Sequence, residues 1–162
     1  MTALLATVAD MQRNQRRGAD GPGPGRPAPR YDGVDALLAD ARSRLDRISV
    51  RAAFQELVTD EDAVLVDIRP AAQRAAEGEV AATLPVLVVE RNVLEWRFDP
   101  RSDARVREAS YDLRVIVLCQ EGYTSSLAAD ALQALGIHRA TDVVGGFAAW
   151  RSAGLPVAGV VA

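Results

Sequence analysis

The sequence contains no lysine, one cysteine and one histidine, and these absences limit the chemistry open to it. A lone cysteine cannot form an internal disulfide, and Cys119 with His138 does not supply the ligand set of a zinc site. We therefore expect neither metal catalysis nor any cofactor. All 19 basic residues are arginines, which we attribute to coding composition.

Excess positive charge and long apolar runs are also missing. The formal net charge is -3 and the sequence pI is near 5.2, so no global positive field draws the chain to nucleic acid or to an anionic membrane. No run approaches the roughly 18 apolar residues of a membrane span, and the short apolar start is brief for a signal peptide. We predict no nucleic-acid partner, no membrane association and a cytoplasmic location.

The chain is long enough for one domain, with some length left over. Alternating proline and glycine between residues 18 and 29 removes backbone donors and raises chain entropy. We expect a disordered tail over residues 1–30, a helical extension over 31–48 that packs on the domain, and the domain itself over 49–162.

Apolar strand patterns alternate with helical patterns from residue 49 onward. The strand patterns lie at 63–69, 84–89, 115–118 and 141–144, with Pro85 at the beginning or edge of its strand. Helical patterns lie at 34–46, after Ser49, from Pro70 to Glu77, after Asn92, and from the turn after Cys119 to Leu135. Ser49 and Asn92 are predicted to cap the helices that follow them. Such alternation predicts an α/β fold, with a central, mostly parallel sheet and helices on both faces.

Three strands of the predicted sheet end in polar residues or glycines. They end at Asp67–Arg69, at Cys119 and at Gly145–Gly146. Because ligands bind at the carboxyl ends of parallel strands, these residues should share one functional edge.

Cys119 stands between a buried strand and the amino terminus of a helix. Unpaired backbone N–H groups and the helix dipole favour a thiolate there. A buried core cysteine is the commoner state of a lone cysteine, but the position at a strand end, before a turn that contains Gly122, favours a nucleophile.

Three motifs in order resemble the rhodanese family of sulfurtransferases. Val64–Arg69 is similar to the first signature, Leu118–Ala129 to the active-site loop and helix, and Val143–Trp150 with Gly154–Val157 to the family ending. The second signature departs from the family, because Gly78–Thr83 lacks the usual proline and second glycine. The resemblance implies a three-layer α/β/α fold.

The resemblance also implies a reaction. Cys119 would take a sulfane sulfur from a donor, thiosulfate or a persulfide, hold it as a persulfide, and pass it to an external thiol, cyanide or a protein acceptor. Backbone N–H groups from Gln120 to Thr124 would surround the sulfur, and Gly122 would let the loop close. The loop residues assigned to binding are Gln120, Glu121, Gly122, Tyr123, Thr124 and Ser125.

Thr124 and Ser125 hydroxyls are expected to cap the helix and to donate to the sulfur. Asp67 and Arg69 are assigned supporting roles, either as a structural ion pair or as functional groups. Trp96 and Trp150 are expected to be core or loop-packing residues. Glu121 stands where relatives that favour thiosulfate often carry a basic residue, so a donor of low charge is expected.

Two alternatives remain open. Phosphatases of similar fold use a longer cysteine loop that ends in arginine, whereas this loop ends in Thr124, which disfavours phosphate chemistry. The stronger alternative is a rhodanese-like binding or regulatory module without activity, which the retained Cys119 and Gly122 disfavour.

Overall fold

A computed structural model describes residues 23–159. Most of the predicted tail, residues 1–22, and residues 160–162 lie outside this range. In the described part, the strands are β1 (Ala63–Asp67), β2 (Val86–Val88), β3 (Arg114–Leu118) and β4 (Thr141–Asp142). The helices are α1 (Gly33–Arg42), α2 (Val50–Thr59), α3 (Ala71–Glu77), α4 (Leu94–Phe98), α5 (Thr124–Ala134) and α6 (Gly146–Ser152), with a 3₁₀ turn at Arg91–Val93.

The four strands form one parallel sheet in the order β2-β1-β3-β4. Asp67 lies opposite Leu118, and Val117 lies opposite Asp142. The carboxyl ends of β1, β3 and β4 therefore meet at one edge, with Cys119 one residue beyond Leu118. The predicted α/β class is confirmed, and β2 lies at the edge of the sheet as Pro85 indicated.

Alternating side chains of β3 divide the core between the two faces of the sheet. Val115 and Val117 pack with apolar residues of α4 and α5, whereas Ile116 and Leu118 pack with those of α2 and α6. These four apolar side chains of β3 are fully buried. Burial on both faces explains why the sequence of the strand is an unbroken apolar run.

The first helix is shorter than the predicted 34–46 and ends at Arg42. The backbone N–H of Ile48 donates to the Asp142 carbonyl at 3.2 Å, and the Val144 N–H donates to the Ile48 carbonyl at 2.9 Å. Pairing of Ile48 with Val143 thus draws this segment alongside β4, and the helix cannot continue through it.

Two other local predictions need correction, and two are confirmed. Asn92 lies within the 3₁₀ turn and caps no helix, and the Glu95 carboxylate accepts hydrogen bonds from the Arg91 guanidinium at 2.8 and 2.9 Å. Trp96 is 62% exposed, whereas Trp150 is fully buried. Ser49 does cap α2, since its hydroxyl accepts from the Ala52 N–H at 3.2 Å.

Arg44, just after α1, ties this helix to α5. Its Nε lies 2.6 Å from Asp130 Oδ1, and its Nη2 lies 3.1 Å from Asp40 Oδ2. The guanidinium of Arg44, together with the Tyr31 hydroxyl, holds the pKa of Asp40 below its usual range. None of the helices within residues 23–159 combines the length and apolarity needed to cross a membrane.

Candidate active site

Cys119 lies at the base of a loop that joins β3 to α5. Its side chain is buried, with 5% of the residue exposed. The Gly122 N–H donates to Cys119 Sγ at 3.2 Å, and the thiol donates to Ser125 Oγ, also at 3.2 Å. Among the amides of residues 120–124, that of Gly122 alone is within hydrogen-bonding geometry of Sγ in the free thiol. The ring of five donors expected around a persulfide stays a prediction.

Gly122 has a φ of +80° and is tightly enclosed. A Cβ at this position would lie 2.8 Å from the Gly145 nitrogen and 2.9 Å from the Val143 carbonyl oxygen. Both atoms belong to the backbone and cannot rotate away, so the loop requires glycine here.

The start of α6 supports the other side of the loop. The Phe147 N–H donates to the Cys119 carbonyl at 2.9 Å, and the Ala148 N–H donates to the Gln120 carbonyl at 3.0 Å. The Gly145–Gly146 turn thereby reaches the cysteine loop, as the shared sheet edge predicts.

A fully buried carboxylate behind the sulfur was not predicted from the sequence. Asp142 Oδ2 accepts from the hydroxyls of Ser125 at 2.8 Å and Ser126 at 2.9 Å. Arg47 neutralises it with two bonds, Nε to Oδ1 at 2.8 Å and Nη2 to Oδ2 at 3.1 Å. The one available signal was an aspartate placed within a strand next to buried β3, where a charge needs a partner.

Two arginines also contact the loop from the segment before α2. Arg42 Nη2 and Arg47 Nη2 each donate to the Gly122 carbonyl at 2.8 Å. No local motif marks these residues, since they lie 80 and 75 positions from Gly122 and only tertiary packing brings them there.

Asp67 and Arg69 form a buried ion pair, each residue being 1% exposed. Arg69 Nη2 lies 2.7 Å from Asp67 Oδ2, and Arg69 Nη1 donates to Gln120 Oε1 at 2.9 Å. The guanidinium also stacks 4.1 Å from the centre of the Phe147 ring. Asp67 and Arg69 therefore form the ion pair that the sequence allowed, and Arg69 reaches the loop through the Gln120 side chain.

Cys119 opens into a pocket of about 670 Å³. Three carboxylate residues line it, Glu77, Glu90 and Glu121, and its arginines, Arg69 and Arg91, are bonded to Asp67 and Glu95. The pocket therefore presents more negative than free positive charge.

The predicted loop residues occupy different positions around this pocket. Gln120, Glu121, Tyr123 and Thr124 line it, with Tyr123 59% exposed. Ser125 is fully buried behind the sulfur. Within the described residues, no side chain caps the amino terminus of α5, so the predicted capping by Thr124 and Ser125 is wrong, because the Ser125 hydroxyl is bonded to Asp142 instead.

The rhodanese-like domain family matches residues 50–153. The chain belongs to this family. The match covers α2 to α6 and includes the cysteine loop and Asp142, whereas Arg42 and Arg47 precede it.

Relatives with known names agree with this assignment. A sulfurtransferase of Allochromatium vinosum is 30% identical over 115 residues, which is 70% of this chain and 94% of the relative. Adenylyltransferase and sulfurtransferase MOCS3-2 of Zea mays is 31% identical over 105 residues, or 64% of this chain. The present chain spans only about 20% of that protein's length.

A solved structure from Rhodopseudomonas palustris shares the fold with a TM-score of 0.70 and 29% identity. The superposition covers 82% of this chain and 99% of that one. That protein is described as being of unknown function and a possible tyrosine phosphatase.

Proposed function

We propose that the protein is a sulfurtransferase in which Cys119 carries the transferred sulfur as a persulfide. The observation that supports this most is the placement of Cys119 Sγ, at the base of a pocket and hydrogen-bonded to the Gly122 N–H at 3.2 Å. An N–H donor and an adjacent hydroxyl suit an anionic sulfur in a site where no cationic side chain of residues 23–159 is bonded to the sulfur.

The transfer takes two displacement steps. The Cys119 thiolate attacks the sulfane sulfur of the donor, the new S–S bond forms, and the donor's S–S bond breaks, so that sulfite or a thiolate leaves with the electron pair. An acceptor thiolate or cyanide then attacks the outer sulfur, and Cys119 leaves as a thiolate. No net oxidation occurs at Cys119.

The persulfide would extend into the pocket. Its outer sulfur lies about 2.05 Å beyond Sγ, toward the space that Gln120, Glu121 and Tyr123 line. We expect the remaining loop amides to donate to this outer sulfur. Because the sequence has a single cysteine, the acceptor must be an external thiol, cyanide or a partner protein.

The charge around the pocket favours donors of low charge. Glu77, Glu90 and Glu121 line it and would repel the thiosulfate dianion. A pocket of about 670 Å³ also has room for a donor larger than thiosulfate. A persulfide, or another donor of lower charge than the thiosulfate dianion, is therefore our preferred donor class, with thiosulfate a weaker one.

Phosphate transfer is disfavoured by the same site. Of the two arginines that line the pocket, Arg69 contacts the loop, and it is already bonded to Asp67 and Gln120. It has no free pair of donors with which to grip a phosphate bidentately.

Thiocyanate formation from cyanide tests the proposal. The full-length protein, its Cys119→Ser variant and a matched buried change, Ala128→Ser in α5, are compared with thiosulfate and with an alkyl persulfide as donors. We expect thiocyanate from wild type and Ala128→Ser, with the persulfide the faster donor, and none above background from Cys119→Ser.

Two results would count against the proposal. Absence of thiocyanate with both donors would favour a binding module without turnover. Hydrolysis of an aryl phosphate that depends on Cys119, without thiocyanate formation, would favour the phosphatase alternative.

A further inference from the structure

The Gly122 carbonyl accepts hydrogen bonds from two arginines that precede the family-matched residues. Arg42 at the end of α1 and Arg47 in the following turn each place Nη2 2.8 Å from this oxygen. Both side chains are partly buried. Two guanidinium groups thus converge on one carbonyl of the cysteine loop.

We propose that Arg42 and Arg47 are positioning residues for sulfur transfer, supplied by residues 33–49 to complete the loop from outside the matched region. This inference rests on the proposed function. It assigns to the segment before α2 a part in the reaction and not only in packing.

The peptide that follows Gly122 explains how the arginines act at a distance. No peptide bond in the described residues is cis, so the Gly122 carbonyl and the Tyr123 N–H point in opposite directions across one planar unit. Hydrogen bonds polarise one another along such a chain. Positive charge at the carbonyl therefore strengthens the Tyr123 N–H as a donor, and Tyr123 lines the same pocket as Cys119.

Each arginine also fixes a second part of the site. Arg47 holds Asp142, which accepts from Ser125 next to the sulfur. Arg42 Nε donates to Ser126 Oγ at 3.1 Å, and its guanidinium carbon lies 5.6 Å from the centre of the Tyr123 ring. The loop carbonyl, the first turn of α5 and β4 are thereby held by charge-assisted bonds, which are roughly twice as strong as neutral ones.

Arg42→Gln in the full-length chain is the principal test, with Arg42→Lys and Arg47→Lys beside it. Arg47→Gln is avoided because it would leave the buried Asp142 charge without its cation. Arg44→Gln is the matched control, since Arg44 belongs to the same segment and bonds Asp40 and Asp130 but not the loop. Measured quantities are kcat and KM for thiocyanate formation, the iodoacetamide alkylation rate of Cys119 at neutral pH without donor, and the thermal midpoint.

We expect Arg42→Gln to lower kcat about tenfold with KM within about twofold, as loss of an interaction made mainly in the transition state does. Alkylation should slow in the same variant. Arg42→Lys should recover most of the wild-type kcat. The kcat of Arg47→Lys should lie between those of Arg42→Gln and wild type, and the kcat of Arg44→Gln should stay within about twofold of wild type.

Equal kcat and alkylation rates in Arg42→Gln and Arg44→Gln would overturn the inference. So would a loss of kcat that Arg42→Lys does not relieve and that follows the thermal midpoint, because the role would then be structural. If wild type transferred no sulfur, the proposed function would fail separately. The alkylation rate would still decide on the arginines, with slower alkylation in Arg42→Gln supporting the inference and equal rates refuting it.

Discussion

The Ser125 hydroxyl lies between Cys119 Sγ and Asp142 Oδ2, at 3.2 and 2.8 Å. It has one hydrogen to donate, and in this structure Asp142 receives it while the thiol donates to the serine. Asp142 retains Arg47 and Ser126 as partners. The Ser125 hydrogen can therefore turn to the sulfur when Cys119 is a thiolate, without leaving the buried carboxylate unpaired.

Replacing Ser125 by alanine should slow the transfer. Loss of a hydrogen bond to a charged group costs about 1.5 kcal/mol or more, which corresponds to about tenfold in rate. Ser126→Ala is the matched comparison, because it removes the other hydroxyl on Asp142 but none on the sulfur, and it should slow transfer less than about threefold. Steady-state kcat is measured for both variants. Equal values would show that the Ser125 hydroxyl does not act on the sulfur.

Glu121 is the residue at which donor preference is most simply changed. It is exposed and lines the pocket. Glu121→Arg should lower KM for thiosulfate about fivefold, since removing a repulsive charge and adding an attractive one near the dianion is worth about 1 kcal/mol. KM for an alkyl persulfide, which carries at most one negative charge, should change less.

Glu61→Arg controls for net charge in this comparison. Glu61 precedes β1, at the end of the sheet opposite Cys119. Its replacement should therefore leave KM unchanged for both donors. Thiosulfate turnover that is the same in Glu121→Arg and wild type would contradict the acidic-pocket account.

At the scale of elements, the β3–loop–α5 unit could be predicted closely from the sequence. An apolar run, a turn with glycine and a helical stripe specify it locally, and the structure has the strand at Arg114–Leu118 and the helix at Thr124–Ala134. The end of α1 could not be predicted, because pairing of Ile48 with Val143 is a contact between distant residues that competes with helical periodicity.

Gly122→Ala should disrupt this unit. Gly154 offers a matched control, because its φ is +68° but a Cβ added there would meet nothing within 4 Å. Gly154→Ala should lower the free energy of unfolding by about 1 kcal/mol for the left-handed backbone alone. Gly122→Ala should cost about 2 kcal/mol more, because its Cβ would meet backbone atoms at 2.8 and 2.9 Å.

Urea unfolding measures both free energies, and sulfur transfer should fall only in Gly122→Ala. Similar free energies for the two variants would mean that the loop can move aside to admit a side chain.

At the scale of the whole molecule, the carboxyl edge of the sheet gathers two ion pairs from distant parts of the sequence. The Asp67–Arg69 pair lies on the β1 side, and the Asp142–Arg47 pair lies on the β4 side, with the Cys119 loop contacting Arg69 through Gln120 and Arg47 through Gly122. Strand order and family motifs sufficed to predict Cys119 and the first pair. The second pair joins β4 to a segment outside the motifs, so it emerged only from the packed structure.

Asp67→Asn should destabilise the whole fold. Arg69 is 1% exposed, and removal of its counter-charge leaves an uncompensated buried cation, at a cost of about 3 kcal/mol. Glu95→Gln removes the partly exposed partner of Arg91 and should cost less than about 1 kcal/mol. Urea unfolding at neutral pH compares the two, and an equal cost would mean that Arg69 finds solvent or another partner.

Cys119 should hold one sulfur atom covalently during transfer, and intact mass spectrometry tests this central claim most directly. The full-length protein is incubated with an alkyl persulfide and freed of excess donor. Its intact mass is then measured before and after reduction. We predict a mass increase of a single sulfur atom that reductant removes and that Cys119→Ser lacks. A protein whose mass does not change, or an adduct that persists in Cys119→Ser, would contradict the account.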